Sequence, residues 1–445
     1  MAVVVVAHVL RQRRSPAGAV AWLLVIVLFP YVGVPLYLMF GGRKMQRVAD
    51  SKANIRLPDS VVRPLPEACL IDRLLRTYGI PGATIGNRVS LCRTGEEGYA
   101  RLVRIIEEAS HSVYVQTYVL QEDEVSREIV DRLARRASEG IRVRLLMDGV
   151  GSLHTSRHFL SPLVKLGGKV AFFIPVIHRP FRGRTNLRNH RKIIIADGRC
   201  VMAGGANIGE EYIGPTPRTG RWRDLSFVLE GPAVSHYAEI FRSDWEFASG
   251  ESIGPDSEMA CSLPEAAGSV VQVVPSGPDV VGDPLYDAIL SAMFAAQKRL
   301  WVVTPYFIPD EALLEALTLA VHRGIDVRIL VPQKSNHPMA DLARGTYLRQ
   351  VQAAGGKVLL YADGMMHAKV LLMDNELAMI GSANMDIRSL FLDYEVAMFA
   401  YGEAEVRATE AWVEATMSNT RSGVKPAGTI RDLCEGVVRL AAPLL

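Results

Sequence analysis

His190-Arg-Lys-Ile-Ile-Ile-Ala-Asp-Gly-Arg-Cys-Val-Met-Ala-Gly-Gly-Ala-Asn207 is the first of two related stretches in this sequence. The second is His367-Ala-Lys-Val-Leu-Leu-Met-Asp-Asn-Glu-Leu-Ala-Met-Ile-Gly-Ser-Ala-Asn384. Histidine, lysine, aspartate, glycine and asparagine keep the same places, at a constant separation of 177 residues (367 minus 190, and 384 minus 207). A repeat of this length is a duplicated domain, far longer than a solenoid unit. We therefore expect two copies of one structural unit.

The sequence around the two motifs repeats as well and indicates the fold class. Gly-Ile-Arg-Val-Arg-Leu-Leu at 140–146 corresponds to Gly-Ile-Asp-Val-Arg-Ile-Leu at 324–330. In both copies, helical patterns alternate with short apolar runs rich in β-branched residues, which is typical of a mixed sheet covered by helices on both faces. The prediction is an α/β fold with two pseudo-symmetric α/β/α sandwich units and the active site at their interface.

Outside the repeats, the N-terminus differs most from a globular sequence. No charged residue occurs from Ser15 to Gly42, and Ala17–Phe40 is long enough, as a helix, to cross a hydrocarbon core of about 30 Å. A cleaved signal peptide or a buried core helix is the alternative. The predicted segments are a membrane anchor at 1–45, a connector at 46–95, repeats at 96–262 and 263–425, and a C-terminal tail at 426–445.

Each motif places its chemical groups on one side of a strand. The histidine and the lysine stand two residues apart before an apolar run, so both side chains point the same way. The glycine pair that follows permits close backbone approach and precedes an asparagine amide. A two-fold arrangement would bring together two imidazoles, two ammonium groups and two amides. These groups belong to His190, Lys192, Asn207, His367, Lys369 and Asn384.

This set of groups suits a phosphodiester. Lysine and asparagine can neutralise and hydrogen-bond the two non-bridging oxygens as charge moves in the transition state. One neutral imidazole can attack phosphorus and form a phospho-histidine, while the other, protonated, donates to the departing alkoxide. Because lysines carry the positive charge, we expect no metal and no other cofactor. One such motif is a weak signal, but two in constant register are a strong one.

The doubled pattern H-x-K-x4-D-x6-G-[GS]-x-N resembles the phospholipase D superfamily over the part of the chain from about Tyr99 to Asn419. Within that superfamily, several stretches are similar to bacterial cardiolipin synthases. Among them are Arg188-Asn-His-Arg-Lys192, Thr304-Pro-Tyr-Phe-Ile-Pro-Asp310 and Ser382-Ala-Asn-Met-Asp-Ile-Arg-Ser389. The resemblance implies that both units are of the phospholipase D type and that a membrane helix precedes them.

The resemblance also implies roles for individual residues. His190 would be the nucleophile and His367 the acid and base, with the reverse assignment left open. An acidic residue downstream of each motif would orient a catalytic histidine, and Asp224 and Glu395 fit this position. The phosphate would be bound by Lys192, Lys369, Asn207 and Asn384.

Three features of the sequence each allow two interpretations. Asp197 and Asp374 complete the catalytic motif, although a structural role is favoured for them. The acidic pair Glu210 and Glu211 could bind an acceptor hydroxyl or face solvent. An insertion of about 11 residues at 177–187, which distinguishes the first copy, lies among arginines and could contact an anionic headgroup or form an ordinary loop.

The implied activity transfers a phosphatidyl group from one phosphatidylglycerol to another through a phospho-histidine and releases glycerol. Hydrolysis by a phospholipase D is the alternative. A net charge of +3 and the apolar N-terminus argue against a nuclease, and two intact motifs argue against a non-catalytic scaffold. The expected partners are phosphatidylglycerol and the membrane, with no nucleic acid. The expected location is the bacterial inner membrane, with the catalytic body on the cytoplasmic side.

Overall fold

The computed structural model describes residues 6, 16–31, 33–34, 52–58, 69–175, 187–254 and 268–440 of the 445-residue chain. Most of its strands join a single mixed sheet of 15 strands, and two short strands form a separate parallel pair. In chain order, the strands are β1 (Thr84–Cys92), β2 (Ser112–Thr117), β3 (Arg142–Asp148), β4 (Lys169–Phe173), β5 (Ile193–Ala196), β6 (Cys200–Gly204), β7 (Ser226–Glu230), β8 (Ser269–Ser276), β9 (Arg299–Val303), β10 (Phe307–Ile308), β11 (Asp326–Pro332), β12 (Lys357–Tyr361), β13 (Val370–Met373), β14 (Leu377–Gly381), β15 (Met385–Asp386), β16 (Glu395–Ala400) and β17 (Thr420–Ser422).

The sheet is built from two halves with the same strand order. From the centre outward, the first half runs β1-β7-β6-β5-β2-β3-β4 and the second runs β8-β16-β14-β13-β9-β11-β12, with β17 added at the edge. The halves meet where β1 and β8 pair antiparallel. In each half, the motif strand forms an antiparallel hairpin with the next strand, and the three outer strands run parallel. The prediction of an α/β fold made of two repeated units is confirmed.

Alternate side chains of the motif strands, β5 and β13, point to opposite faces of the sheet. Ile193 and Ile195 of β5 pack in the same apolar core as Val370 and Leu372 of β13, so one face carries a single core shared by both halves. The intervening residues, such as Ile194, pack in a core that belongs to their own half. This period of two is what a strand buried on both faces requires. The repeats are therefore joined by a continuous core as well as by a common sheet.

Helices cover both faces of the sheet, and local sequence sets several of their starts. Asp123 and Asp310 accept hydrogen bonds from the backbone N–H groups of Ser126 and Leu313, as N-cap residues do. The helices are α1 (Pro16–Leu28), α2 (Leu70–Thr77), α3 (Gly95–Glu108), α4 (Glu124–Ser138), α5 (Arg157–Lys165), α6 (Val234–Ser249), α7 (Pro284–Ala295), α8 (Glu311–His322), α9 (Pro338–Ala353), α10 (Ile387–Phe391), α11 (Glu403–Met417) and α12 (Thr429–Leu440).

The first half of the sheet begins earlier in the chain than residue 96, the predicted start of the first repeat. Strand β1 lies inside the predicted connector, 46–95, yet its second half pairs with β7 and its first half pairs with β8 at the centre of the sheet. The neighbouring prolines of the connector obscured this strand in the sequence. Helix α12 lies in the predicted tail and packs on α9 through an ion pair between Glu435 and Arg349 (2.5 Å). The domain boundaries themselves stay predictions.

The apolar N-terminal stretch is described in part. Residues 16–28 form α1, and residues 30–31 and 33–34 are also helical. Among the residues that the structure describes, no helix has both the length and the apolar character needed to cross a membrane. The predicted span, Ala17–Phe40, includes residues 32 and 35–40, which lie outside the described residues.

Candidate active site

The segment before each motif strand is hydrogen-bonded to the opposite half of the protein. The backbone N–H of His190 donates to the carbonyl of Tyr394 (2.9 Å), and the N–H of Tyr394 donates to the carbonyl of Arg188 (2.9 Å). The N–H of His367 donates to the carbonyl of Arg223 (2.8 Å) in the same manner. Each histidine is therefore positioned by the repeat to which it does not belong.

The two downstream acids are exchanged between the repeats. Nδ1 of His190 lies 2.9 Å from Oε1 of Glu395, which begins β16 in the second half. Nδ1 of His367 lies 2.6 Å from Oδ2 of Asp224, which lies two residues before β7 in the first half. A carboxylate only accepts, so we assign the ring proton to Nδ1 in both histidines, and Nε2 is left for chemistry. Neither repeat alone holds a complete histidine–carboxylate pair.

The motif lysines lie against their own histidines and are buried. Nζ of Lys192 donates to the carbonyl oxygen of His190 (2.6 Å). Nζ of Lys369 lies 2.9 Å from Nδ1 and 3.2 Å from Nε2 of His367 and donates to the carbonyl oxygen of that residue. These contacts follow from the spacing of two residues, which puts both side chains of a motif on one side of the chain.

The motif asparagines are buried in the same region. Oδ1 of Asn207 accepts from the backbone N–H of Val119 (3.2 Å), which leaves its NH2 group as the donor toward a ligand. Asn384 holds the equivalent place in the second half, between β14 and β15. Both amides are therefore placed by the chain near the motif lysines, and the amide of Asn384 is hydrogen-bonded to the carboxylate of Asp386.

The pKa values of the motif side chains show that the two motifs share one environment. Burial lowers the pKa of His190 to about 4 and that of His367 to about 3. Lysines of both motifs add to the lowering at each histidine, while Glu395 and Asp224 oppose it. Burial also lowers the pKa of Lys192 to about 7 and that of Lys369 to about 8. Positive charge is thus costly in this pocket until an anion enters it.

Binding of a phosphodiester anion should weaken as the pH rises. An anion favours the charged lysines, whose pKa values of about 7 and about 8 in the free protein would rise in the complex. Binding then takes up protons above neutral pH, so affinity falls as the pH rises above about 7. Titration with dimethyl phosphate, a monoanion throughout this range, measures the effect. Affinity that is constant or increases with pH would contradict it, and Lys192→Met should lose the earlier part of the fall.

Aromatic rings line the two histidines, although no sequence pattern singled them out. Tyr118 meets the ring of His190 edge-on, with centroids 4.9 Å apart. Tyr212 and Trp222 contact the ring of His367 at 5.3 Å and 5.2 Å. Tyr118 directly follows β2, the strand that pairs with motif strand β5, so its position beside the motif could have been inferred once that pairing was known. The two histidines therefore have different surroundings despite identical motifs.

The carboxylates of the motif aspartates bind backbone N–H groups rather than the imidazole of His190 or His367. The carboxylate of Asp197 accepts from the N–H groups of Ser110, His111 and Ser112 at 2.7 to 2.8 Å. Asp374 accepts from three consecutive N–H groups, at 297–299, in the second half. Both residues have positive φ, 52° and 50°, at the turn of the motif hairpin. Each carboxylate thus fixes the start of the neighbouring strand, β2 or β9, which fits the structural role favoured from the sequence over a catalytic one.

Replacing Asp374 by alanine should cost stability and spare the chemistry. Three N–H groups would lose a charged acceptor, and alanine would strain a backbone with positive φ, so we expect a loss of about 2–4 kcal/mol in the free energy of unfolding. Denaturant unfolding measures this loss, with the exposed Asp363→Ala as the control. A stable Asp374→Ala protein with abolished turnover would instead make this aspartate catalytic.

The other predicted features contribute no group to the pocket as described. Glu210 pairs with Arg218 (2.6 Å), and Oε2 of Glu211 accepts from Nε2 of Gln121 (2.9 Å). The arginine-rich insertion lies outside the described residues except for its last position, 187. Among the described residues, no group of three or more histidine, cysteine, aspartate or glutamate side chains is arranged to hold a metal ion.

A two-repeat α/β body with one histidine–lysine pocket between the repeats defines the class of phospholipase D-type enzymes. Comparison with protein families agrees. The family described as cardiolipin synthase, PLD-like domain, matches residues 102–245 and 289–417, and a phospholipase D-nuclease N-terminal family matches residues 1–42. Cardiolipin synthase 1 of Bacillus anthracis is 33% identical over 98% of this chain and 90% of its own length. The cardiolipin synthase of Alkalihalophilus pseudofirmus is 36% identical with the same coverage.

A solved structure has the same fold. The phosphatidylserine synthase of Haemophilus influenzae aligns with a TM-score of 0.63 over 84% of this chain and 98% of its own, at 17% identity. This likeness concerns the fold alone. The two cardiolipin synthases are more similar to this chain in sequence. The chain belongs to the cardiolipin synthase family of phospholipase D-like enzymes.

Proposed function

We propose that this protein is a cardiolipin synthase that moves a phosphatidyl group from one phosphatidylglycerol to another and releases glycerol. The observation that carries the proposal is the pair of imidazoles, each held at Nδ1 by a carboxylate of the other repeat and each beside a buried lysine. The names of the sequence relatives support the lipid substrate. The structure of the pocket supports the chemistry in two steps.

In the first step, Nε2 of His190 attacks phosphorus. The bond from phosphorus to the oxygen of the headgroup glycerol breaks. Glu395 accepts the Nδ1 proton in a hydrogen bond and so stabilises the positive charge that develops on the ring. His367 gives its Nε2 proton to the departing oxygen. Its low pKa in the empty pocket rises when the phosphodiester anion binds, which makes the protonated form available. The product is a phospho-histidine and free glycerol.

In the second step, a hydroxyl of the second phosphatidylglycerol attacks the phospho-histidine. His367, now neutral, takes the proton of that hydroxyl, and the bond between phosphorus and His190 breaks. Both imidazoles return to their starting states, so the cycle balances without an external acid or base. Throughout, the non-bridging oxygens would be bound by Lys192, Lys369, Asn207 and Asn384.

The proposed location is the bacterial cell membrane, with residues 1–45 as the anchor and the catalytic body on the cytoplasmic side. The uncharged stretch at 17–40 and the match of an N-terminal family to residues 1–42 support this proposal. An anchor of this kind would hold the pocket near two lipid substrates that are both confined to the bilayer. The repeats would extend over 96–262 and 263–425, with β1 added to the first.

Product analysis tests the function. The detergent-solubilised protein is incubated with phosphatidylglycerol, and lipids and glycerol are quantified by mass spectrometry. Cardiolipin and glycerol in equal amounts are expected. Phosphatidic acid and glycerol without cardiolipin would identify water as the acceptor and make the protein a phospholipase D. If the folded protein forms neither cardiolipin nor phosphatidic acid, the proposal as a whole is contradicted.

A further inference from the structure

Four charged side chains form a buried cluster behind the first motif. Nζ of Lys52 lies 2.7 Å from Oδ1 of Asp244 and also bonds Asp279. The guanidinium of Arg191 contacts the same two carboxylates at 2.9 Å and 3.1 Å. The side chain of Lys52 is 1% exposed and the other three are 0% exposed. Two cations therefore balance two anions with almost no help from water.

This cluster is attached to the groups that hold His190. Arg191 is the next residue in the chain, and its Nε donates to the backbone carbonyl of Glu395 (3.1 Å). Both cations of the cluster lie over the ring of Tyr394, Nζ of Lys52 at 5.3 Å and Cζ of Arg191 at 5.5 Å from its centroid. Tyr394 also accepts the backbone hydrogen bond of His190. The cluster thus fixes the backbone on both sides of the His190–Glu395 pair.

The cluster has no equivalent at the second motif within the described part of the chain. Ala368 occupies the position that corresponds to Arg191, and a methyl group cannot bridge carboxylates. The fourth member of the cluster, Lys52, also comes from outside both motifs. It belongs to the described segment 52–58. This segment is docked, since the N–H of Ile55 donates to the carbonyl of Asp279 (3.0 Å) and the carbonyl of Pro58 lies 3.2 Å from Nε2 of His236.

We propose that Lys52 is a positioning residue for His190, so that the segment 52–58 is part of the active-site scaffold. Without Lys52, one guanidinium faces two buried carboxylates, and an unpaired buried charge forces its neighbours to rearrange. Arg191 then leaves its place over Tyr394 and releases the backbone of Glu395. The proposal rests on the proposed function only in assigning the covalent step to His190.

The experiment separates this role from membrane attachment and from folding. Formation of the covalent intermediate and kcat and KM are measured with dihexanoyl-phosphatidylglycerol below its micelle concentration, so that binding to a bilayer does not enter. The variants are Lys52→Met and Lys52→Arg, with Arg56→Met as the matched control, because Arg56 is an exposed cation of the same segment. The pair Lys52→Met with Asp279→Asn keeps the cluster neutral and serves if Lys52→Met alone does not fold.

We expect Lys52→Met to lower kcat and the rate of intermediate formation by about 10-fold or more with little change in KM, because the loss concerns the reacting group and not lipid binding. Lys52→Arg should recover much of the rate, and Arg56→Met should match the wild type. The neutral pair should regain thermal stability while kcat stays low, because Tyr394 still lacks the cation of Lys52 and Arg191 has lost the charged partner Asp279. Wild-type kcat in folded Lys52→Met, or full recovery of kcat in the neutral pair, would overturn the proposal. If the wild type forms the intermediate but makes no cardiolipin, the proposed acceptor, a second phosphatidylglycerol, is wrong. The test of Lys52 stays valid in that case.

Discussion

Replacing His190 by alanine is expected to abolish turnover of phosphatidylglycerol, with a loss of at least about 10³-fold, and to remove the covalent intermediate. The proposed nucleophile is Nε2 of this ring. Two described neighbours do not replace it, since Lys192 is directed to the carbonyl of His190 and Glu395 contacts the opposite ring nitrogen. Acid quenching during turnover of a donor labelled in its phosphatidyl group should leave label on the wild-type protein and none on His190→Ala.

The matched control is His154→Ala, which removes an exposed histidine outside both motifs and should keep wild-type turnover. Circular dichroism and thermal unfolding confirm that each variant is folded. Label that remains on His190→Ala would show that another residue forms the covalent bond. A variant that loses label only because it fails to fold is recognised by its unfolding curve. If His190→Ala does not fold, His190→Gln, which retains a polar side chain of similar reach, is used instead.

The site could be predicted from the sequence wherever it depended on the repeat. The constant separation of 177 residues identified His190, Lys192, Asn207 and their partners without a structure, because two chance motifs would not stay in register. The strand period of two then placed histidine and lysine on one side, as the structure has it. The apolar runs that follow the motifs predicted β5 and β13 for the same reason, since strands buried on both faces are apolar at every position.

The parts that the sequence could not reveal depend on how the halves meet. Glu395 and Asp224 could be selected as acids, but their exchange between repeats follows from the backbone pairing of Tyr394 and Arg223 with the opposite motif. Strand β1 escaped notice because both of its partners, β7 and β8, lie far away in the chain. Lys52 stands outside both repeats, and a lone lysine in a proline-containing segment gives no signal of burial.

The low pKa values of the histidines likewise arise from the assembled pocket. Neither motif alone buries an imidazole beside the lysine of the other motif, so a sequence argument starts from an ordinary pKa near ~6.5. In the assembled pocket, burial and the two lysines favour neutral rings. Protonation of His367 therefore has to be coupled to substrate binding. This coupling gives a direct way to separate the two histidines experimentally.

The second large effect is expected for His367→Ala, and it should depend on the leaving group. With phosphatidylglycerol, loss of the proton donor leaves an unprotonated alkoxide to depart, so turnover should again fall by at least about 10³-fold. A donor that releases p-nitrophenol needs little protonation. With this donor, His367→Ala should form the covalent intermediate within about 10-fold of the wild-type rate, whereas His190→Ala should form none.

The fate of the intermediate completes the argument. In His367→Ala, no base remains to activate the second phosphatidylglycerol, so label should accumulate on His190 after a burst of p-nitrophenol and decay slowly. Stopped-flow absorbance measures the burst, and acid quenching measures the label. Equal impairment with both donors would show that His367 does not act as the acid. If His190→Ala were the variant rescued by the activated donor, the two-step scheme would hold with the roles exchanged, and the nucleophile would be the histidine that Asp224 orients.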